Sequence, residues 1–138
     1  MLVAVIPACS KIARKIIECL LGENQPSSVH IRGLYKDISC VPHEFRSHPS
    51  FEVTEGDASN ATTILNVSSA ADAILAIATV QGNGECHGPD GLHWTKNISK
   101  HVRLAVQRNV TIKRIVLLSS MQLEQSKYGV VSFSIPKP

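Results

Sequence analysis

The residues best placed to do chemistry fall where β-favouring runs give way to something else. At the first such junction, Pro7-Ala8-Cys9-Ser10-Lys11-Ile12-Ala13 joins an apolar run to a helical pattern, so the opening amides of a helix face whatever lies over the strand end. Unpaired N–H groups and the helix dipole together suit a diphosphate. At the second, Lys36 follows the run Val29 to Tyr35. A cation there can meet a phosphate, whereas a carboxylate would bond a ribose hydroxyl and repel phosphate. At the third, Gly56-Asp57 closes the run Phe51 to Glu55, where Asp57 can accept from an exocyclic amine or simply cap the helix that follows. At the fourth, Ser119 and Ser120 end a run from Lys113 and offer hydroxyls that can polarise a carbonyl or serve structure alone.

These groups depend on the elements that carry them. Leu2-Val3-Ala4-Val5-Ile6 is a continuous apolar run, the pattern of a strand buried on both faces of a parallel sheet. Ile12, Ile16, Ile17, Leu20 and Leu21 then mark one face of a helix, with Ser10 as N-cap and Gly22 as its stop. Val29 to Tyr35 reads as a second strand, and 36–50, with Pro42 and Pro49, as an irregular connection or at most a short helix. Phe51 to Glu55 is a third strand. Ser59 can cap a short helix with Ile64, Leu65 and Val67 inward, and Ala73 to Val80 is a fourth strand, with Ala78 near its carboxyl end. Gln81 to Gly91, rich in glycine, is the longest loop; a helix with Ile98, Val102, Ala105 and Val106 on one side runs to Asn109. Lys113 to Ser119 is a fifth strand, and Val130 to Ile135 is strand-like. Alternation of this kind predicts an α/β fold: a parallel sheet of about five strands with helices on both faces and ligands at the carboxyl ends.

The order of elements, the turn at 7–13, the stretch Val29-His30-Ile31-Arg32-Gly33-Leu34-Tyr35-Lys36-Asp37, the Gly56-Asp57 pair and the run from Lys113 to Ser120 resemble the NmrA-like family of atypical short-chain dehydrogenase/reductases. The resemblance covers about four-fifths of the chain. It implies a Rossmann-type domain binding NADP and reducing or oxidising a small organic molecule, of the sort modified in fungal secondary metabolism. Pro7, Ser10 and Ala13 stand in the three glycine places of the family's G-x-x-G-x-x-G loop, and Pro7 removes an N–H and fixes φ. The resemblance implies cofactor contacts from Pro7, Ser10, Lys11 and Ile12, the 2′-phosphate at Lys36 with Arg32 as helper, the adenine beside Asp57, Ala78 at the strand end, and Ser119 or Ser120 at the substrate carbonyl.

The superfamily pairs that Ser with Tyr-x-x-x-Lys on the next helix, the Lys lowering the Tyr pKa. Here Lys127-Tyr128 stands in reversed order with no basic residue four places after Tyr128. Family members continue for as long again, so the resemblance implies that 1–138 is a partial domain lacking the later strands and the substrate lobe. Apolar surface exposed in this way would be covered by a partner chain or a second copy.

The totals exclude several other classes. A length of 138 residues suits one domain, and 43% hydrophobic with 18% charged residues supports a packed core. A net charge of +3, with only Arg14-Lys15 and Lys113-Arg114 adjacent, gathers no basic face for nucleic acid. Cys9, Cys19, Cys40 and Cys86 lack C-x-x-C spacing and read as thiols of a reducing compartment; Leu2 to Ala8 is too short to span a bilayer, and the basic residues follow it, unlike a secretory signal. The expected location is therefore cytoplasmic. Four N-x-S/T sequons fall in or beside expected helices. Cys86-His87 with His93 lacks a fourth metal ligand, so no metal is expected. Three functions stand open: an NADP-dependent oxidoreductase, a non-catalytic NADP sensor or interaction module, and a truncated, inactive relic.

Overall fold

A computed structural model describes residues 1–22, 29–78, 91–121 and 127–134. The element order is β1 (Leu2–Ile6), α1 (Lys11–Leu20), β2 (His30–Tyr35), α2 (His43–Arg46), β3 (Phe51–Glu55), α3 (Ala61–Val67), β4 (Ala73–Ala78), α4 (Gly91–Arg108), β5 (Arg114–Met121) and β6 (Lys127–Ser134), with a single 3-10 turn at Ile38–Cys40 before α2. The strands form one sheet in the order β3-β2-β1-β4-β5-β6. Every pair from β3 to β5 is parallel, which is the α/β Rossmann-like arrangement.

Alternation along the strands decides which helix covers which face. Val3 and Val5 of β1, Ile31 and Tyr35 of β2, and Leu75 and Ile77 of β4 pack with Ala13 and Ile17 of α1 and Phe45 of α2. Ala4 and Ile6, Leu34, and Ile74 and Ala76 face the other way, onto Ile64 and Val67 of α3 and Ile98, Val102 and Ala105 of α4. Two apolar layers therefore sandwich the sheet, and both faces of β1 are buried, as its unbroken apolar run requires.

Two expectations change. The sheet has a sixth strand, and β6 runs antiparallel to β5. Five positions, 122–126, separate the two strands, too few for the crossover of about a dozen residues that a parallel neighbour needs. The cap of α3 is Asn60, whose side chain accepts from the Thr62 N–H, while Ser59 donates its own N–H to Asp57. Helix α1 is capped at Leu21, whose N–H bonds Ile17 O, and Gly22 follows at C′ as the expected stop. The loop expected at 81–91 lies outside the described residues except for Gly91, which begins α4.

Candidate functional site

The carboxyl ends of β1, β2 and β3 converge on the turn before α1. Pro7, Cys9, Leu34, Lys36, Gly56 and Asp57 line a recess of about 10 Å³ between them. That volume holds about one water, so a ligand at this place lies across the rim. The turn is stitched down by the Ala8 N–H, which donates to Leu34 O at 2.8 Å. Pro7 follows a cis peptide bond and is buried.

Helix α1 begins as the sequence predicts. Ser10 is extended, at φ −76° and ψ 157°, and its Oγ accepts from the Ala13 N–H at 3.1 Å. The Arg14 N–H bonds Ser10 O at 3.0 Å. The amides of Lys11 and Ile12 are among the first four N–H groups of the helix, which have no partner within it. The hydroxyl of Ser10 thus does for Ala13 what a bound phosphate oxygen would do in its place.

Lys36 and Asp57 both line the recess, and both are exposed. The Asp57 carboxyl is held below the usual carboxylate range, first by the Ser59 backbone N–H that it accepts at 2.9 Å; burial opposes this, and the Ser59 hydroxyl and the charge of Lys36 add smaller lowering effects. Asp37 is committed elsewhere: it caps the 3-10 turn by accepting from the Ser39 N–H at 2.9 Å.

Arg32 departs from its expected role. Its guanidinium pairs with Glu52 at 3.0 Å and donates to Val67 O at 3.1 Å and Ser69 O at 2.7 Å, so it closes the carboxyl end of α3 and is no helper at the rim. The reason is alternation: Arg32 precedes Gly33 and sits on the α3 side of β2, three positions before the strand ends at Tyr35. Ala78 and Ser119 are register partners at the carboxyl ends of β4 and β5. One position further, Ser120 stands opposite Tyr128 of β6, and Met121 opposite Lys127.

Two contributors went unread in the sequence. Gly33 is required by packing: a Cβ there would lie 2.8 Å from the Tyr35 ring and 3.0 Å from the Ala8 methyl, so the glycine lets the turn after β1 close onto β2. A glycine inside a strand run is the signal for such an approach. Cys9, which lines the recess, takes part in a disulfide and so departs from the all-thiol reading, while Cys19 and Cys40 are free.

The residues present fit a phosphate-bearing nucleotide at the rim: two open helix amides, one cation and one carboxylate with an acceptor oxygen to spare. No helix among the described residues is long and apolar enough to cross a membrane.

No family model matches the chain, and no curated protein matches it. Solved structures do. A Rossmann-fold NAD(P)-binding family protein from Shigella flexneri superposes at TM-score 0.59 with 17% identity, over 83% of this chain and 49% of its own. The yeast methylglyoxal/isovaleraldehyde reductase complexed with NADPH gives 0.62 and 19%, over 85% and 36%. A short-chain dehydrogenase/reductase from Veillonella parvula in complex with NADP gives 0.56 and 19%, over 84% and 45%. The chain spans less than half the length of each. At these identities the likeness establishes the Rossmann fold.

Proposed function

We propose that this chain is the nucleotide-binding half of an NADP-dependent oxidoreductase-type domain of the NmrA-like kind, acting with a small organic substrate. The observation that carries the proposal is the meeting of Lys36, Asp57 and the turn residues Pro7 and Cys9, which lead into α1, around one recess. In this reading Lys36 receives the 2′-phosphate, Asp57 accepts from the adenine amine, and the amides of Lys11 and Ile12 hold the diphosphate, with Pro7 and Ser10 shaping the turn beneath. Ala78 borders the cofactor at the end of β4, and Ser119 or Ser120 orients the substrate carbonyl. The cofactor supplies hydride transfer, and the protein supplies orientation and charge.

The substituted loop lowers affinity without abolishing it. Ser10 already satisfies the Ala13 N–H, so one donor fewer is open to phosphate. The test is thermal unfolding with and without NADPH: a ligand selective for the folded chain raises the melting temperature, and the rise grows with the logarithm of ligand concentration above its Kd. A rise that NADPH produces and that adenosine does not supports the proposal, and no shift at millimolar NADPH refutes it.

A sensor without turnover is the second reading. It is favoured by β6, which follows β5 as an antiparallel strand where a helix would be needed to carry a Tyr-x-x-x-Lys pair back over the sheet. NADPH binding without oxidation, coupled to association with another protein, supports that version, and measurable turnover removes it.

A further inference from the structure

Cys9 differs from the other described cysteines in both place and state. It lines the recess with Lys36 and Asp57, immediately before the Ser10 cap of α1, and it is half-buried and disulfide-bonded. Cys19 and Cys40 are exposed and free. Positive surroundings with partial exposure mark reactive cysteines, whereas thiols buried in apolar surroundings are inert. Cys9 has the start of a helix directly after it and shares its recess with a cation.

A staple for stability is not what this domain needs. Small chains rely on disulfides where they cannot build a sufficient core, and here apolar layers cover both faces of the sheet. The turn itself is already held by the Ala8 N–H on Leu34 O and by the Ser10 cap. What the bond does change is the rim. With Cys9 in its bonded form the recess measures about 10 Å³, room for about one water. A diphosphate laid on the opening amides of α1 has to approach the backbone closely at this same turn. A second sulfur joined to Cys9 adds bulk at that place, and reduction to the thiol removes it.

We propose that Cys9 is a redox-responsive thiol that sets nucleotide affinity: its disulfide form excludes the diphosphate from the rim, and its thiol form admits NADPH. The inference rests on the NADP site proposed above. The chain has four cysteines, so Cys86, which lies outside the described residues, is the partner that the count leaves. In the oxidising direction the Cys9 thiolate attacks glutathione disulfide, whose S–S bond breaks and releases one glutathione. The Cys86 thiolate then attacks the mixed disulfide, forming the bond between the protein sulfurs and releasing the second. The two electrons and two protons lost by the protein thiols thus end on two glutathione thiols, and excess glutathione reverses the exchange. Coupling of this kind is reciprocal, so NADPH on the rim disfavours the disulfide by the same factor.

The experiment equilibrates the full chain with glutathione and glutathione disulfide at graded ratios. Cys9 is followed by alkylation and mass spectrometry, and NADPH affinity by titration. The expected result is a reversible loss of Cys9 alkylation as the buffer becomes oxidising, with NADPH binding weakened about tenfold or more and oxidation slowed by NADPH. Cys9→Ser and Cys86→Ser should each give a single affinity in reducing and oxidising buffer, while Cys40→Ser keeps the response of the unaltered chain. Cys86→Ser carries the test if the substitution at the turn disturbs folding. A Cys9 disulfide that millimolar glutathione leaves intact, equal NADPH affinity in the two forms, or a response that survives in Cys86→Ser would each overturn the proposal. Binding by neither form would overturn it together with the NADP site, whereas equal binding by both leaves that site standing.

Discussion

The guanidinium of Arg32 donates to the carbonyl of Ser69 at 2.7 Å while its Nε pairs with Glu52 at 3.0 Å. Two strands and the end of α3 are joined through one side chain, which also reaches Val67 O. Beside it the Asn109 carboxamide donates to Ser68 O and the Thr111 hydroxyl to Ala71 O, so the chain leaving α3 is held from two directions. Cations and donors at a helix carboxyl end offset both unpaired carbonyls and the dipole.

Arg32→Ala should therefore destabilise the fold by about 1–3 kcal/mol, because the part-buried Val67 carbonyl loses a charged donor. Arg32→Lys should recover only part of this, since one ammonium cannot fork between two carbonyls and a carboxylate. Urea unfolding measures both. Neither change should alter the preference between NADPH and NADH.

Tyr35 tests the core beneath the site. It is fully buried against Phe51, its hydroxyl has no partner, and burial pushes its pKa up to about 12, with Arg14 opposing slightly. In the unfolded chain the phenol ionises near pH 10. The folded value lies above the unfolded one, so this residue's contribution is complete below pH 10 and is lost as pH rises toward 12. By pH 12 the loss is about 2 kcal/mol relative to Tyr35→Phe. At neutral pH that variant should be as stable as the unaltered chain or more so, because removing an unpaired buried hydroxyl costs nothing. Paired denaturant titrations at pH 7 and pH 11 check both statements.

Asp57 has a structural bond and a proposed ligand role, and substitution separates them. Asp57→Asn keeps an acceptor for the Ser59 N–H and should leave stability nearly unchanged, while Asp57→Ala should cost on the order of 1 kcal/mol. The folded pKa is depressed, so its stabilisation is present above the ordinary carboxylate range and is lost as pH falls through that range. Isothermal titration with NADPH should show weakened binding for both variants, since Asn presents one acceptor oxygen where the carboxylate has two.

Ser10 offers the reverse experiment. Ser10→Ala removes the cap of α1 and should cost about 1 kcal/mol, whereas Ser10→Gly should cost a few tenths. The glycine variant also frees the Ala13 N–H from Oγ. It should bind NADPH more tightly than the unaltered chain despite being slightly less stable, a pairing of effects that no general change in folding would produce.

How much of this was legible in the sequence follows from what kind of signal each part carries. The parallel part of the sheet was readable because β1 and β4 are unbroken apolar runs and α1 has its polar cap and its helical stripe. The turn of β6 against β5 was not, since Lys127 to Ser134 shows only β propensity, and direction is set by the short span before it. The cap of α3 moved from Ser59 to Asn60 because two adjacent polar residues offer the same signal and only geometry selects between them. Lys36 and Asp57 were legible because strand ends in a parallel sheet point the same way. Arg32 was misjudged because its distance from the strand end, which fixes its face and depth, was weighed less than its charge.

The proposed function stands or falls on NADP binding at the rim formed by Lys36, Asp57 and the turn before α1. Titrating the purified chain with NADPH and NADH, beside Lys36→Glu, tests it most directly. Saturable NADPH binding stronger than that of NADH is expected, with Lys36→Glu losing at least about tenfold for NADPH, about 1.4 kcal/mol, and little for NADH. Absence of NADPH binding at millimolar concentration, or equal NADPH affinity in Lys36→Glu, would contradict it.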